Sequence, residues 1–235
     1  MTPQKTAPTI LFLHGALGVA EDLMPLREIM EQKGFKTLGF NFSGHGANSA
    51  HPSEFRIDLF ARDLDKYLTD HHLENVIIFG YSMGGYVALY HVANFENSPI
   101  SQIFTYGTKF NWSQSSVARE LPMLVPEHLS EKFPQFADAL EKKHGERWKI
   151  LLRSTAHMMQ NLEKLDGLTR EDALSIEIPV ILIVGDQDRM VTLEETKTFA
   201  SWLHHQSIKT IGHSKHELEK ANLSELSQVI AKDLL

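Results

Sequence analysis

The sequence contains no cysteine among its 235 residues. It can therefore form no disulfide, no thiolate metal site and no thiol nucleophile, and Ser, His and carboxylate side chains remain as candidate chemistry. Long apolar runs are also missing, since no stretch approaches the roughly 20 residues that a membrane helix needs. Residues 9–20 imitate the core of a signal peptide, but Leu13-His14-Gly15 within them suits that role poorly. We expect a cytoplasmic protein with no membrane partner.

Clustered positive charge is absent as well. The formal net charge is -7, and the Lys and Arg residues are scattered along the chain. This balance opposes binding to phosphate backbones, so we do not expect nucleic acid as a partner. The histidines show no metal-ligand spacing such as His-Glu-x-x-His. We expect a small-molecule substrate, no metal and no other cofactor, whereas the sequence leaves the oligomeric state open.

What the chain does contain is an alternation of short apolar runs and helical patterns. Residues 9–13 (TILFL) are typical of a strand buried on both faces of a parallel sheet. The alternation predicts an α/β fold with a doubly wound, mostly parallel sheet of about six strands. The predicted strands cover residues 9–13, 35–42, 75–79, 100–106, 180–184 and 207–211. The predicted helices cover residues 22–33, 57–71, 83–94 and 193–204, and a closing helix has a capping box at Asn222 and Glu225.

One long segment breaks this alternation. Residues 110–178 carry helical patterns and several prolines but no convincing strand. We predict an α/β core of residues 1–109 and 179–235, into which residues 110–178 are inserted as a helical cap. Its apolar side chains individually favour packing against the core, but as a set they could roof a pocket for a largely apolar substrate. This set comprises Trp112, Met123, Leu124, Phe133, Phe136, Trp148, Met158 and Met159.

A Gly-x-Ser-x-Gly motif at residues 80–84 lies between the predicted strand 75–79 and the predicted helix 83–94. A nucleophile elbow requires this context, because its tight turn presents the serine at the carboxyl edge of the sheet. Glycines on both sides avoid clashes within the turn. We predict that Ser82 is a nucleophile. In the alternative interpretation, the segment is a glycine-rich turn and Ser82 only caps the helix.

Four segments together resemble the motifs of the α/β-hydrolase superfamily over nearly the whole chain. LHGALG at residues 13–18 is similar to the family's His-Gly loop, and FSGHG at residues 42–46 is similar to its Gly-His-Gly turn. GYSMGG at residues 80–85 resembles the elbow, and GDQDRMV at residues 185–191 resembles the acid loop. The resemblance implies the α/β-hydrolase fold and a serine hydrolase.

Two features depart from the family pattern. Asn41 stands where an aspartate is frequent in the family, although this position lies outside the triad. The first recognisable strand lies so close to Met1 that the family's first two strands are expected to be missing or reduced. Both departures leave the fold intact, and the second makes the sheet smaller.

The resemblance also assigns an acid and a base, which follow the nucleophile in the order Ser, acid, His. Asp188 matches the family's Gly-x-x-Asp spacing, whereas the alternative, Asp186, more naturally hydrogen-bonds its own turn. His216 lies just before a helical pattern, where the family places its histidine. The alternative base is His213, which follows a glycine but has a short reach from the strand. We predict that Ser82, Asp188 and His216 form the triad.

An oxyanion hole needs two backbone N–H groups that converge near the nucleophile. One should come from Met83, at the amino end of the helix after the elbow. The other, by the resemblance, should come from Ala16. The neighbouring His14 is expected to brace its loop rather than to take part in the chemistry.

These residues favour hydrolysis of a small or medium, largely apolar ester through an acyl-enzyme. Cleavage of thioesters, lactones or carbon–carbon bonds, and perhydrolysis, are alternatives that the same triad could catalyse. An aspartate nucleophile is excluded because Ser82 occupies the elbow. A non-catalytic ligand-binding protein is an alternative of a different class, since a fold does not fix a function.

Overall fold

The computed structural model describes residues 8–46, 48, 54–164 and 167–234. The strands are β1 (Thr9–Leu13), β2 (Lys36–Gly39), β3 (Val76–Tyr81), β4 (Ile100–Tyr106), β5 (Val180–Gly185) and β6 (Gln206–Ile211). They form one sheet in the order β2-β1-β3-β4-β5-β6, and every neighbouring pair is parallel. The order reverses direction after β1, as expected for a doubly wound sheet. The predicted α/β fold is confirmed.

The helices are α1 (Met24–Gln32), α2 (Ile57–Asp70), α3 (Met83–Asn94), α4 (Gln114–Glu120), α5 (Pro126–Lys132), α6 (Pro134–His144), α7 (Trp148–Lys164), α8 (Arg170–Ser175), α9 (Leu193–Ala200) and α10 (Leu223–Lys232). Helices α2, α3 and α9 contribute to the core on one face of the sheet, and α1 and α10 contribute to the core on the other. The apolar runs of β3 and β5 are buried because these layers cover both faces.

The second strand is shorter than predicted, because β2 ends at Gly39 instead of residue 42. Its last partner on β1 is Phe12, one residue before β1 itself ends. Beyond that point the Phe42 N–H donates to the ring of His14 rather than to a strand. The apolar residues after Gly39 therefore pack without extending the sheet.

Two helix boundaries also differ from the prediction. The helix predicted from residue 22 begins as a 3-10 turn at Ala20–Leu23, and α1 proper starts at Met24. Helix α9 ends at Ala200 rather than at residue 204. At α10 the capping box is only half formed. The Asn222 side chain accepts from the Glu225 N–H, but the Glu225 carboxylate accepts from Gly212 N–H instead of returning to the Asn222 backbone.

The interval from residue 110 to residue 178 holds helices α4 to α8, with residues 165 and 166 outside the described part. It contains no strand among its described residues, and several of its helices share a small apolar core. Helices α5 and α6 both begin with a proline, which is favoured at the first helical position. The division into core and cap stays a prediction.

Within the described residues, no helix combines the length and the apolar character needed to cross a bilayer.

Candidate active site

Ser82 lies on the turn that joins β3 to α3, at the carboxyl edge of the sheet. Its backbone angles are φ 49° and ψ -114°, a left-handed conformation that is strained for a residue other than glycine. The turn is held because the Ser82 N–H donates to Tyr106 O at 2.8 Å, and the Thr108 hydroxyl donates to Ser82 O at 3.0 Å. The Ser82 side chain makes no capping hydrogen bond to α3, which disfavours the interpretation of Ser82 as a cap.

The glycines of the motif are required by close backbone approaches. A Cβ atom at Gly80 would lie 2.4 Å from the Gly85 Cα atom, and one at Gly84 would lie 2.4 Å from Leu13 O. Any side chain at either position would therefore force β3, α3 and β1 apart. The turn can pack against its neighbours only when both positions are glycine.

Two later loops bring a carboxylate and an imidazole together. His216 Nδ1 lies 2.9 Å from Asp188 Oδ2, although the two residues are 28 positions apart. The Asp188 side chain is fully buried, and its other oxygen accepts from the backbone N–H groups of Met190 and Val191, both at 2.8 Å. The His216 side chain is 15% exposed. The aspartate is thus fixed from two sides and can orient the imidazole.

The alternative acid and base lie elsewhere. Asp186 is exposed, and its carboxylate accepts from the Ser214 N–H at 3.0 Å. Backbone hydrogen bonds from Ser214 and His213 lower the pKa of Asp186. His213 is itself exposed and has a left-handed backbone with φ 53°. The structure therefore pairs His216, and not His213, with a buried carboxylate.

Sequence reasoning missed two residues that hold this pair. Tyr106, at the end of β4, donates its hydroxyl proton to Lys215 O, next to His216. Gly107 follows with φ 62°, and a Cβ atom there would lie 3.1 Å from His216 Nδ1. The signal that could have found them is positional, because Tyr106 ends β4 and Gly107 follows it at the edge of the sheet where the loop that carries Asp188 also begins.

The predicted oxyanion donors are the backbone N–H groups of Ala16 and Met83. Ala16 follows β1 and Met83 begins α3, and both residues line the same cavity as Ser82. Among the described residues, neither backbone N–H donates to a protein acceptor. His14 is fully buried, its Nδ1 lies 2.8 Å from Gly15 O, and its Nε2 accepts from the Phe42 N–H at 3.2 Å. Burial lowers the pKa of His14 to about 4, so it stays neutral and braces the loop as expected.

A cavity of about 620 Å³ opens beside Ser82 and His216. Residues at the ends of β1 and β3 line part of it, and residues of α4, α6 and α7 line much of the rest. Of the eight apolar residues singled out in the insertion, six line this cavity: Trp112, Met123, Leu124, Phe136, Met158 and Met159. The other two do not, because Phe133 is 46% exposed and Trp148 is buried within the insertion. No cluster of His, Asp or Glu in the described ranges is arranged to hold a metal ion.

The fold and this geometry define a class, the α/β proteins built around a nucleophile elbow. The sequence profile of the family described as the alpha/beta hydrolase fold matches residues 8–148. The chain therefore belongs to the alpha/beta hydrolase fold family, and the resemblance drawn from its motifs is confirmed.

Similar proteins carry hydrolase and synthase names. A Mycoplasma pneumoniae protein provisionally named an esterase/lipase is 24% identical, with 87% of this chain and 82% of the relative covered. A 2-succinyl-6-hydroxy-2,4-cyclohexadiene-1-carboxylate synthase of Yersinia pestis is 22% identical, with 91% of this chain and 83% of the relative covered. The solved structure of an esterase from Exiguobacterium antarcticum matches with a TM-score of 0.80 at 16% identity, covering 97% of this chain and 92% of that one. The structural match shows the shared fold.

Proposed function

We propose that the chain is a serine hydrolase that cleaves a carboxylic ester with Ser82 as nucleophile, His216 as base and Asp188 as the orienting acid. The observation that carries this proposal is the 2.9 Å contact of the buried Asp188 with His216, which lines the same cavity as Ser82. Serine hydroxyls are poor nucleophiles without such a base.

The Asp188 contact assigns the proton positions of the imidazole. A carboxylate that accepts from Nδ1–H leaves Nε2 free to take the Ser82 proton as Oγ attacks the ester carbonyl. The carboxylate also stabilises the imidazolium that forms. The proton then passes from Nε2 to the leaving alkoxide, and an acyl-enzyme remains on Ser82. Water activated by the same imidazole hydrolyses it.

The backbone supplies the second part of the mechanism. Negative charge develops on the carbonyl oxygen in the transition state, and the N–H groups of Ala16 and Met83 are the proposed donors to it. Loss of one such donor costs about 3–4 kcal/mol of transition-state stabilisation in a well-studied protease. The amino end of α3 adds a favourable dipole.

The cavity indicates the substrate class. Its wall is largely apolar, and we propose that the helical insertion acts as a cap over a small or medium apolar acyl or alcohol group. The esterase names of two similar proteins agree with ester cleavage. Thioester, lactone and carbon–carbon bond cleavage and perhydrolysis would use the same residues, so substrate assays must distinguish them.

The experiment is labelling with a fluorophosphonate, together with hydrolysis of p-nitrophenyl acetate and butyrate. We expect Ser82→Ala to abolish labelling and His216→Ala to lower kcat at least 1,000-fold, on the order of triad losses measured elsewhere. His213→Ala is the matched control, because His213 is exposed and away from the cavity, and it should retain full activity.

A wild-type protein that neither labels nor turns over would refute the serine hydrolase proposal and favour a ligand-binding protein. Loss of activity in His213→Ala, with full activity in His216→Ala, would assign the role of base to His213 instead of His216. The urea unfolding midpoints of the variants should equal that of the wild type. A loss of activity then cannot result from unfolding of the variant.

A further inference from the structure

Three side-chain polar atoms in the described part of the chain are shielded from solvent and have no hydrogen-bond partner. They are Trp112 Nε1, Thr155 Oγ1 and His45 Nε2. Buried polar groups are normally paired, so each unpaired one calls for an explanation. The His45 ring packs against Phe55 and does not line the cavity. The other two residues both line the cavity beside Ser82.

Thr155 lies in a stripe of α7 that forms part of the cavity wall. Thr155, Met158, Met159 and Leu162 recur at helical spacing, and all four line the cavity. Thr155 is the only polar member of the stripe and is 1% exposed. A threonine within a helix commonly donates to the carbonyl four residues before it, but this hydroxyl does not. Its hydrogen-bonding capacity is therefore unused in an apolar wall.

Trp112 lies at the start of the insertion. The Lys109 ammonium lies 5.9 Å from the centre of its ring and donates to Met190 O at 3.1 Å. The ring is therefore held against the loop that carries Asp188, whereas its Nε1–H, which can only donate, has no acceptor.

We propose that Trp112 Nε1–H and Thr155 Oγ1–H form a specificity subsite for a hydrogen-bond acceptor on the substrate. The inference rests on the proposed function and deepens it. The subsite fits a neutral acceptor, a keto or ether oxygen within an otherwise apolar chain. Both donors are uncharged, and Lys109, the cation that lies over the Trp112 ring, is already 3.9 Å from Glu195, so it is poorly placed to pair with a buried carboxylate. Met158 and Met159 are flexible side chains that can shift to admit the oxygen.

The test compares esters that differ by one oxygen. Ethyl hexanoate and ethyl 5-oxohexanoate probe the acyl side, and pentyl acetate and 4-oxopentyl acetate probe the alcohol side. The readout is the ratio of kcat/KM within each pair. We expect the wild type to prefer the oxo ester in at least one pair. Thr155→Val keeps the shape of the side chain, and Trp112→Phe keeps an aromatic ring of smaller size; each removes one donor and should lower that ratio about 3- to 10-fold.

Matched controls are available elsewhere in the chain. Thr196 is buried, but its hydroxyl donates to Thr192 O at 3.0 Å, and neither Thr196 nor Trp202 lines this cavity. Thr196→Val and Trp202→Phe should keep the wild-type ratio. Thr155→Val should not lower the thermal midpoint of the free protein, because it breaks no hydrogen bond, whereas Thr196→Val should lower it.

Two outcomes would overturn the subsite. One is a wild type with no preference for the oxo ester in either pair, and the other is a wild-type ratio in both donor variants. A second readout needs no turnover: in Ser82→Ala, ethyl 5-oxohexanoate or 4-oxopentyl acetate should raise the thermal midpoint more than its parent ester. Thr155→Val should reduce that difference. If the wild type hydrolyses no ester but this binding preference holds, the proposed reaction fails and the subsite stands.

Discussion

At the scale of single residues, Gly107 shows how a position without a side chain shapes the site. It follows β4 with φ 62°, and its N–H donates to Ile183 O at 2.9 Å. A Cβ atom at this position would lie 3.1 Å from His216 Nδ1 and 3.4 Å from Asp188 Oδ2. Glycine thus permits both the left-handed backbone and the close approach of Asp188 and His216, the proposed acid and base.

We expect Gly107→Ala to lower kcat/KM for p-nitrophenyl butyrate at least about 10-fold, because a small displacement of a catalytic group is costly. The control is Gly34→Ala, since Gly34 also has a left-handed backbone, with φ 90°, but no atoms lie where its Cβ would be. Both changes should cost about 1–2 kcal/mol of unfolding free energy for the left-handed alanine. Steady-state kinetics and urea unfolding measure the two effects, and equal kcat/KM values in the two variants would contradict this role.

Sequence reasoning reached some residues of the site and not others. Ser82 could be predicted because a single local motif specifies its turn. Asp188 and His216 lie on separate loops, so only the resemblance to a family brought them together before the structure did. Gly107 and Tyr106 carry no motif, because their importance arises from packing across β4 and β5. The unpaired Thr155 hydroxyl likewise becomes visible only once α7 is packed.

At the scale of elements, the end of α6 ties the insertion to the loops around the site. His144 Nδ1 accepts from the Gly46 N–H at 2.9 Å, and its Nε2 lies 3.0 Å from Leu17 O, to which it can donate. Lys143 adds an ion pair with Asp22 at 2.7 Å. Burial lowers the pKa of His144, which favours the neutral ring that both hydrogen bonds require. His144 thereby holds Leu17, the residue that follows Ala16.

We expect His144→Leu to slow fluorophosphonate labelling of Ser82 about 10-fold or more, because misplacing Ala16, a proposed oxyanion donor, would cost transition-state stabilisation. His144→Asn should recover part of the rate, since its side-chain oxygen can accept from Gly46. His157 is exposed on α7, so His157→Leu is the control and should label at the wild-type rate. A wild-type labelling rate in His144→Leu would show that the tie has no part in positioning Ala16.

The bounds of helices and strands could be predicted well where local sequence signals mark them. The predicted bounds of α3 and β4 match the structure, because a glycine-rich turn marks the start of α3 and β4 lies between Pro99 and Gly107. The prediction of β2 was too long, because β2 stops pairing with β1 at Gly39, although apolar residues continue beyond it. Hydrophobic periodicity predicts helices between residues 110 and 178 but does not show how they pack against one another. Their arrangement around the cavity therefore could not be predicted from the sequence.

At the scale of the whole molecule, burial of histidines links stability to pH. Burial lowers the pKa of His14, His45, His91 and His144, and that of His14 falls to about 4. In the unfolded chain a histidine has a pKa of about 6.5. Between these two values the unfolded state binds more protons than the folded state. The stability that depends on neutral buried histidines is therefore fully present above about pH 6.5, and it is lost as the pH falls toward their pKa values in the folded state.

We expect the free energy of unfolding, measured with urea, to fall steeply between pH 6.5 and 4.5. His14 alone contributes a loss of about 3 kcal/mol by pH 4, from a pKa difference of about 2.5 at 1.36 kcal/mol each. His45→Phe should reduce the slope by up to one proton, about 1.4 kcal/mol per pH unit, because it removes one buried titrating ring. His213→Gln removes an exposed ring and should keep the wild-type slope. A His45→Phe slope equal to that of the wild type would show that the His45 ring does not contribute to the acid sensitivity of this fold.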